Sequence, residues 1–205
     1  MHAAPLAFRR PIAPEDQVRA NFYAVLARLY ADPPDAGFLR SLANADRMSG
    51  ESPVGEAWNR LIDASAAMDV DAAAQEYTDL FVGVGRSEVN LHASHWLTGF
   101  MAERPLVELR TDLASLAITR KESATMLEDH LSALLETMRI LVAGDGDRAP
   151  ATVEQQRNFL QERLLSWAFV CCTAIVKSSL ANYYGRVAEL TEQFLALERD
   201  SLAID

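Results

Sequence analysis

Apolar residues recur along this chain at spacings of three and four, the rhythm of amphipathic helices, while stretches alternating every second residue and rich in Val, Ile and Thr are absent. The pattern predicts an all-α protein. Val18, Phe22, Val25, Leu26 and Leu29 mark a first helix that stops before Asp32-Pro33-Pro34, because a residue preceding Pro is pushed out of the helical region. Asp35 then serves as the N-cap of a short helix carrying Phe38, Leu39 and Leu42. After a break from Gly50 to Pro53, two more helices run from Val54 to Met68 and from Asp71 to Phe81. These four elements read as one packed unit.

The helical period fails between Gly83 and Gly99, where glycines, Asn90, His92 and His95 lie beside Trp96 and Phe100, so a loop of unusual content is expected there. Pro105 suits the start of a helix through Leu106, Leu109, Leu113 and Leu116, since its missing N–H costs little in a first turn. Ile118 to Thr125 is a polar connector. A helix from Leu127 to Val142 follows, stopped by Gly144-Asp145-Gly146-Asp147. Two final helices span Val153 to Val176, with a break near Ser166, and Ser179 to Leu197.

Composition narrows the class. With 205 residues, half of them apolar, the chain can bury a sizeable core as one domain or two small lobes. A net charge of −10 and no run of Lys or Arg disfavour nucleic acid and suit basic peptides. No stretch reaches the roughly 18 to 20 uncharged apolar residues of a membrane span. The N-terminus from Met1 to Arg10 lacks the apolar segment and cleavage site of a secretion signal, so a cytoplasmic protein is expected. Cys171 and Cys172 are adjacent in an apolar run, where neighbouring residues point to different helix faces; they read as small buried side chains.

The stretch Leu127-Glu128-Asp129-His130-Leu131 concentrates titratable groups at the start of an apolar helix. Acidic residues there can simply cap free N–H groups and complement the helix dipole; equally, they can form a site. Glu88, His92 and His95 would share a face if helical and so resemble metal ligands, but Gly83, Gly85 and Asn90 argue against a helix, and no metal or other cofactor is expected. Ser94 with His95 or His130 lacks a nucleophile turn. Asp129 and His130 diverge by about 100° on a helix, which discourages a joint acid/base role. Nucleotide binding finds no glycine-rich phosphate loop.

Three stretches, Glu76-Tyr77-Thr78-Asp79-Leu80-Phe81-Val82-Gly83, Ala93-Ser94-His95-Trp96-Leu97 and Asp129-His130-Leu131, together resemble the TorD/DmsD/NarJ family of redox-enzyme maturation chaperones in content, order and spacing. Trp167 and Asn182-Tyr183-Tyr184-Gly185-Arg186-Val187-Ala188 resemble that family's last helices, so the resemblance covers about residues 15 to 198. It implies a two-lobed helical fold: an N-terminal lobe over residues 1–118, a hinge at 119–128 and a C-terminal lobe over 129–205. It also implies a binding protein, not an enzyme, that holds the apo form of a molybdenum-cofactor oxidoreductase, or its twin-arginine signal peptide, in the cytoplasm. Carried over by position, the peptide groove would involve Tyr77, Leu80, Phe81, His92, Ser94, Trp96, Leu97, Asp129 and His130, and a homodimer by lobe exchange is possible in such a fold.

The family's usual hinge, Glu-Pro-x-Asp-His, is here Met126-Leu127-Glu128-Asp129-His130, with Glu122 and Glu128 available to replace the lost charge. His92 stands where an aromatic residue is usual, Trp96 where a Tyr is usual, and Ser166 where a Pro often precedes the Trp. Trp96-Leu97-Thr98-Gly99-Phe100-Met101-Ala102-Glu103-Arg104-Pro105-Leu106 is similar to the subgroup associated with formate dehydrogenases. Physically, a leader with two guanidinium groups and an apolar segment needs carboxylates, for which Glu88, Glu128 and Asp129 qualify, beside an aromatic groove. Two rival classes are a small metal-dependent hydrolase using His92, His95 and His130, and a helical adaptor or dimerisation module in which Phe81 and Trp96 are core.

Overall fold

A computed structural model describes residues 12–83, 85, 87–101, 103–120, 125–146 and 148–203. Helix α1 spans Pro14–Ala31, α2 Ala36–Ala43, α3 Pro53–Ala67, α4 Val70–Tyr77 and α5 Ala93–Thr98. Helix α6 spans Arg104–Ser115, α7 Leu131–Ala143, α8 Val153–Phe159, α9 Ala168–Lys177 and α10 Tyr183–Leu202. No strand occurs among the described residues, and the all-α class holds. The N-terminal segment Met1 to Arg10 and Glu122 lie outside the described residues.

Local chemistry sets most boundaries. Pro14 and Pro53 sit in the first turns of α1 and α3. Asp35, Ser52 and Asp69 each accept a backbone N–H as N-caps of α2, α3 and α4, and Thr152 with Gln155 closes a capping box on α8. Helix α7 stops at Gly144, whose φ of +74° and close approach to the Arg148 carbonyl leave no room for a Cβ.

The structure departs from the sequence expectations at five places. The segment expected to be wholly loop contains α5, a six-residue helix ended by Gly99 at φ +81° with its N–H donated to the His95 carbonyl. The helix expected from Leu127 begins at Leu131 instead, because residues 129 and 131 spend their backbone groups on another segment. The helix expected to reach Phe81 ends as α-helix at Tyr77 and continues as a π turn over Thr78–Val82. The long helix expected from Val153 passes through a π turn over Leu160–Leu165 and breaks at Ser166-Trp167, where a break was expected. The last helix starts at Tyr183 and runs on to Leu202.

Helix α1 lies along α7 as the most extensive pairing in the molecule, and α10 crosses α3 and α9. Buried residues from Ala20 to Leu202 join in a single hydrophobic cluster with Trp167, Tyr23, Tyr30, Tyr183 and Tyr184 at its centre. The expected hinge region therefore connects two halves of sequence whose side chains share one core. Among the described residues no single helix is long and apolar enough to cross a membrane. The bent pair Val153–Leu165 and Ala168–Lys177 passes by length and composition only, and its Phe159, Leu164, Trp167, Cys171 and Ile175 are buried.

Candidate functional site

The motif segments, distant in sequence, meet in pairs. Residues 91–93 and 129–131 form a short antiparallel bridge centred on His92 and His130: the Ala93 N–H donates to the Asp129 carbonyl (2.9 Å) and the Leu131 N–H to the Leu91 carbonyl (2.8 Å). This bridge positions two side chains that face each other, since the His92 and His130 rings meet edge to face at 4.8 Å. It also explains the late start of α7.

Asp129 is 1% exposed. Its Oδ2 accepts the Ser94 N–H at 3.0 Å and the Ser94 hydroxyl at 2.6 Å, so the carboxylate steadies the first turn of α5. The capping role considered for this acid is therefore real, but it serves a different helix from the one it precedes. Its Oδ1 is buried without a hydrogen-bond partner in the protein, and Asp129 borders a cavity of about 10 Å³ beneath Leu97, Pro105 and Leu109. An unsatisfied buried carboxylate oxygen carries a desolvation cost, which makes this the least settled polar atom of the site.

His130 is the N-cap of α7: its Nδ1 accepts the Ser132 N–H at 3.2 Å. An accepting Nδ1 carries no proton, so the ring is neutral with its proton on Nε2. Burial, seconded by His92, holds its pKa down to about 3. His92 Nδ1 lies 3.1 Å from the Asn90 side-chain oxygen, which also takes the His92 N–H at 2.9 Å. Its pKa is likewise lowered, by burial above all, with Asp129 opposing and His95 adding to the effect.

Trp96 packs against the core and donates its indole N–H to the Asn90 carbonyl at 2.7 Å. Beyond it the surface turns apolar: Leu97 is 45% and Phe100 70% exposed, with Met101 exposed beside them. Glu88 and Glu103 are exposed and flank this stretch in sequence. Glu128, by contrast, is held by the protein's own Arg110 at 2.9 Å and Arg120 at 4.0 Å.

The first motif is joined to the loop through Leu80, whose carbonyl accepts the Val89 N–H at 2.8 Å. Leu80 is fully buried. Tyr77 donates its hydroxyl to the Tyr30 and Ala31 carbonyls; burial raises its pKa to about 12. The π turn swings Phe81 edge-on against Tyr77 and Tyr184, at 5.3 and 5.0 Å. These three residues pack as an aromatic cluster, while Ser94 is fully buried against Asp129. The structure thus brings His92, Ser94, Trp96, Leu97, Asp129 and His130 together, whereas Tyr77 and Phe81 pack with Tyr30 and Tyr184 and Leu80 reaches the loop only through its backbone bond to Val89.

Glu88, His92 and His95 do not share a helical face, since residues 87–92 are irregular. No group of three His, Cys, Asp or Glu side chains among the described residues is arranged to hold a metal ion. Two residues with larger roles than their sequence position suggested are Asn90, which receives both His92 and Trp96, and Glu76. The buried Glu76 carboxylate accepts the N–H groups of Asn182, Tyr183 and Tyr184 at 2.8, 3.0 and 2.7 Å, joining the first motif to the last. A signal for it was present: Ala73, Glu76, Tyr77 and Leu80 follow the spacing of one buried stripe, and an acid on such a stripe requires partners.

The His130 arrangement predicts an acid sensitivity with a defined sign. Below the ordinary histidine pKa of about 6.5 the unfolded chain takes up a proton that folded His130 refuses, down to about 3. Stability therefore falls as pH drops through that window, by up to about 1.4 kcal/mol per pH unit. His130→Asn keeps an accepting side-chain oxygen at the N-cap and removes the titration. Denaturant melts from pH 7 to 4 are expected to show a shallower decline for the variant; equal slopes in the two proteins would contradict a neutral His130.

A sequence model of the family described as nitrate reductase delta subunit matches residues 49–173, more than half of the chain. The chaperone protein TorD of Aliivibrio fischeri (strain ATCC 700601 / ES114) is 25% identical over 178 residues, covering 81% of this chain and 80% of that protein. A crystal structure described as that of a redox enzyme maturation protein from Archaeoglobus fulgidus shares the fold, with a TM-score of 0.55 and 14% identity over 98% of this chain and 99% of that one. With the paired motifs in place, the match over residues 49–173 shows that the chain belongs to this family, the TorD/DmsD/NarJ redox-enzyme maturation chaperones that its sequence resembles.

Proposed function

We propose that this protein binds the twin-arginine leader, and with it the apo form, of a molybdenum-cofactor oxidoreductase in the cytoplasm until the cofactor is loaded. The observation that most supports this is the exposed apolar surface of Leu97, Phe100 and Met101, held directly after the second motif by a rigid base of Trp96, Asp129 and the His92–His130 bridge. Exposed large apolar side chains that cluster on one turn mark an interaction surface. The leader's apolar segment lies on them, and Glu88 and Glu103 face its arginines. Glu128 is spent on Arg110 and acts as support.

Magnitudes divide the labour. A solvent-exposed carboxylate–arginine pair contributes about 0 to 1 kcal/mol, whereas each buried apolar side chain contributes about 1.5 to 3 kcal/mol. Affinity accordingly comes from the apolar segment and register from the arginines. The leading client class is the formate dehydrogenases, which the Trp96 to Leu106 stretch suggests.

Anisotropy titrations of labelled leader peptides, formate dehydrogenase leaders among them, test this. Leu97→Asp and Phe100→Asp are each expected to weaken leader binding by about tenfold or more, with little change in melting temperature because both side chains already face water. Trp96→Ala is a less clean probe, since its indole N–H also fixes the Asn90 loop. Unchanged affinity in both Asp variants, or no binding of any twin-arginine leader, would sink the proposal.

A further inference from the structure

The apolar turn after α5 owes little of its shape to packing, since beyond Gly99 the side chain of Phe100 is 70% and that of Met101 41% exposed. Two polar tethers hold it among the described residues. Thr98 Oγ1, whose own proton goes to the Ser94 carbonyl at 2.8 Å, accepts the Phe100 N–H at 3.3 Å. The other tether comes from outside the helix: the Asn90 side-chain amide donates from Nδ2 to Met101 Sδ at 3.6 Å.

The neighbours of Asn90 fix which way its amide points. Its Oδ1 accepts the His92 N–H at 2.9 Å, and a backbone N–H can only donate, so Nδ2 is the atom turned to the sulfur. A bond from the side-chain oxygen to the N–H two residues on is an Asx turn, which an aspartate makes equally well. What asparagine adds at this position is the N–H donor. The anchor behind it is firm. The Asn90 carbonyl accepts the Trp96 indole N–H at 2.7 Å and the Cys171 S–H of α9 at 3.8 Å, and the preceding Val89 N–H is held by the Leu80 carbonyl. Asn90 therefore joins three anchored segments, in α5, α9 and the first motif, to one exposed turn.

We propose that Asn90 is a positioning residue for leader binding, an inference that rests on the leader-binding reading of this surface: its side-chain amide holds the Met101 thioether, and through it the apolar turn, in the conformation that receives the leader's apolar segment. A methionine side chain has three rotatable bonds and loses that freedom when a ligand buries it. Holding the sulfur in the free protein places part of this ordering ahead of binding, so the gain appears in affinity. Thioether sulfur is a weak acceptor, and the expected effect is about threefold to tenfold in affinity.

Two conservative variants and their combination test this. Asn90→Ser keeps a hydroxyl able to accept the His92 N–H and is too short to reach Met101; Met101→Leu keeps an apolar side chain of similar volume and removes the sulfur. In anisotropy titrations each single variant is expected to weaken leader binding by about threefold or more, and the double variant to bind no more weakly than the weaker single one, because both remove the same contact. In the free protein, amide exchange at Phe100 and Met101 is expected to speed by about threefold in Asn90→Ser. Losses that multiply in the double variant would mean that Asn90 acts through His92 or Trp96 and not through Met101, and would overturn the proposal. Affinity of Asn90→Ser equal to that of a parent that binds, or unaltered exchange at the two amides, overturns it as well. A parent protein that binds no twin-arginine leader would instead remove the reading of the surface, and this proposal with it.

Discussion

Replacing Glu76 by Ala is expected to cost about 3–5 kcal/mol, because it leaves three N–H groups at the start of α10 without their acceptor in a buried setting. Helix α10 has no side-chain cap of its own: Asn182 precedes it with φ −123° and ψ −72°, and the carboxylate arriving from α4 takes that role. A carboxylate at a helix N-terminus also meets the positive end of the helix dipole. In a protein of this size the loss corresponds to a fall in melting temperature of about 10 °C. Glu76→Gln, which keeps one accepting oxygen, is expected to fall between the two. A denaturation series over the three proteins checks the order. Leader affinity of the folded Glu76→Ala protein is expected to stay within about twofold of the parent, since a distant cap adds nothing to an exposed contact. A loss below about 1 kcal/mol would mean that the α10 N–H groups find water or other partners.

That prediction separates two meanings of one motif. In sequence, Glu76 to Gly83 stands out as a block and invites a single role. In space, Glu76 caps α10, Tyr77 secures the last carbonyls of α1, and Phe81 fills an aromatic cluster through the π turn. The block holds α1, α4 and α10 together, which gives α5 and the α5–α6 turn a firm base to project from.

What could be read along the chain follows from the range of the forces involved. Periodicity, prolines and caps are local, so α1, α2, α3 and α6 begin and end close to where the sequence places them, and the Asp35 cap is as expected. Helix α5 is too short, at six residues, to show a period, and its stop signal, Gly99, sits where a loop glycine would. The shift of α7 from Leu127 to Leu131 has a non-local cause: residues 91–93 claim the backbone of residues 129–131 across about 38 positions of sequence. For the same reason the order of the motifs was legible and their pairing was not. Burial of Leu80, Ser94 and Asp129 is likewise decided by tertiary packing, while exposure of Phe100 runs against its hydrophobicity and so shows only in the structure.

A second buried acid predicts an effect of similar size with an informative asymmetry. Glu198, 2% exposed on its side chain, accepts Arg19 Nε and Nη2, each at 2.8 Å, and the Tyr23 hydroxyl at 2.9 Å, pinning α1 to α10. Arg19 itself is less confined: it also donates to Asp16 at 2.7 Å and to Gln156 at 3.0 Å, and a fifth of its side chain meets water. Removing the cation therefore strands a carboxylate in the core, whereas removing the carboxylate leaves a cation that keeps partners and solvent. Arg19→Ala is expected to cost about 3–5 kcal/mol and Glu198→Ala about 2 kcal/mol. Replacing both by apolar side chains, as in Arg19→Met/Glu198→Leu, is expected to restore most of the stability, since a buried ion pair seldom outperforms well-packed hydrocarbon. Equilibrium urea unfolding of the two single variants and the double variant gives the three values directly. If Glu198→Ala proves as damaging as Arg19→Ala, the pair acts through its mutual attraction and the desolvation argument is wrong.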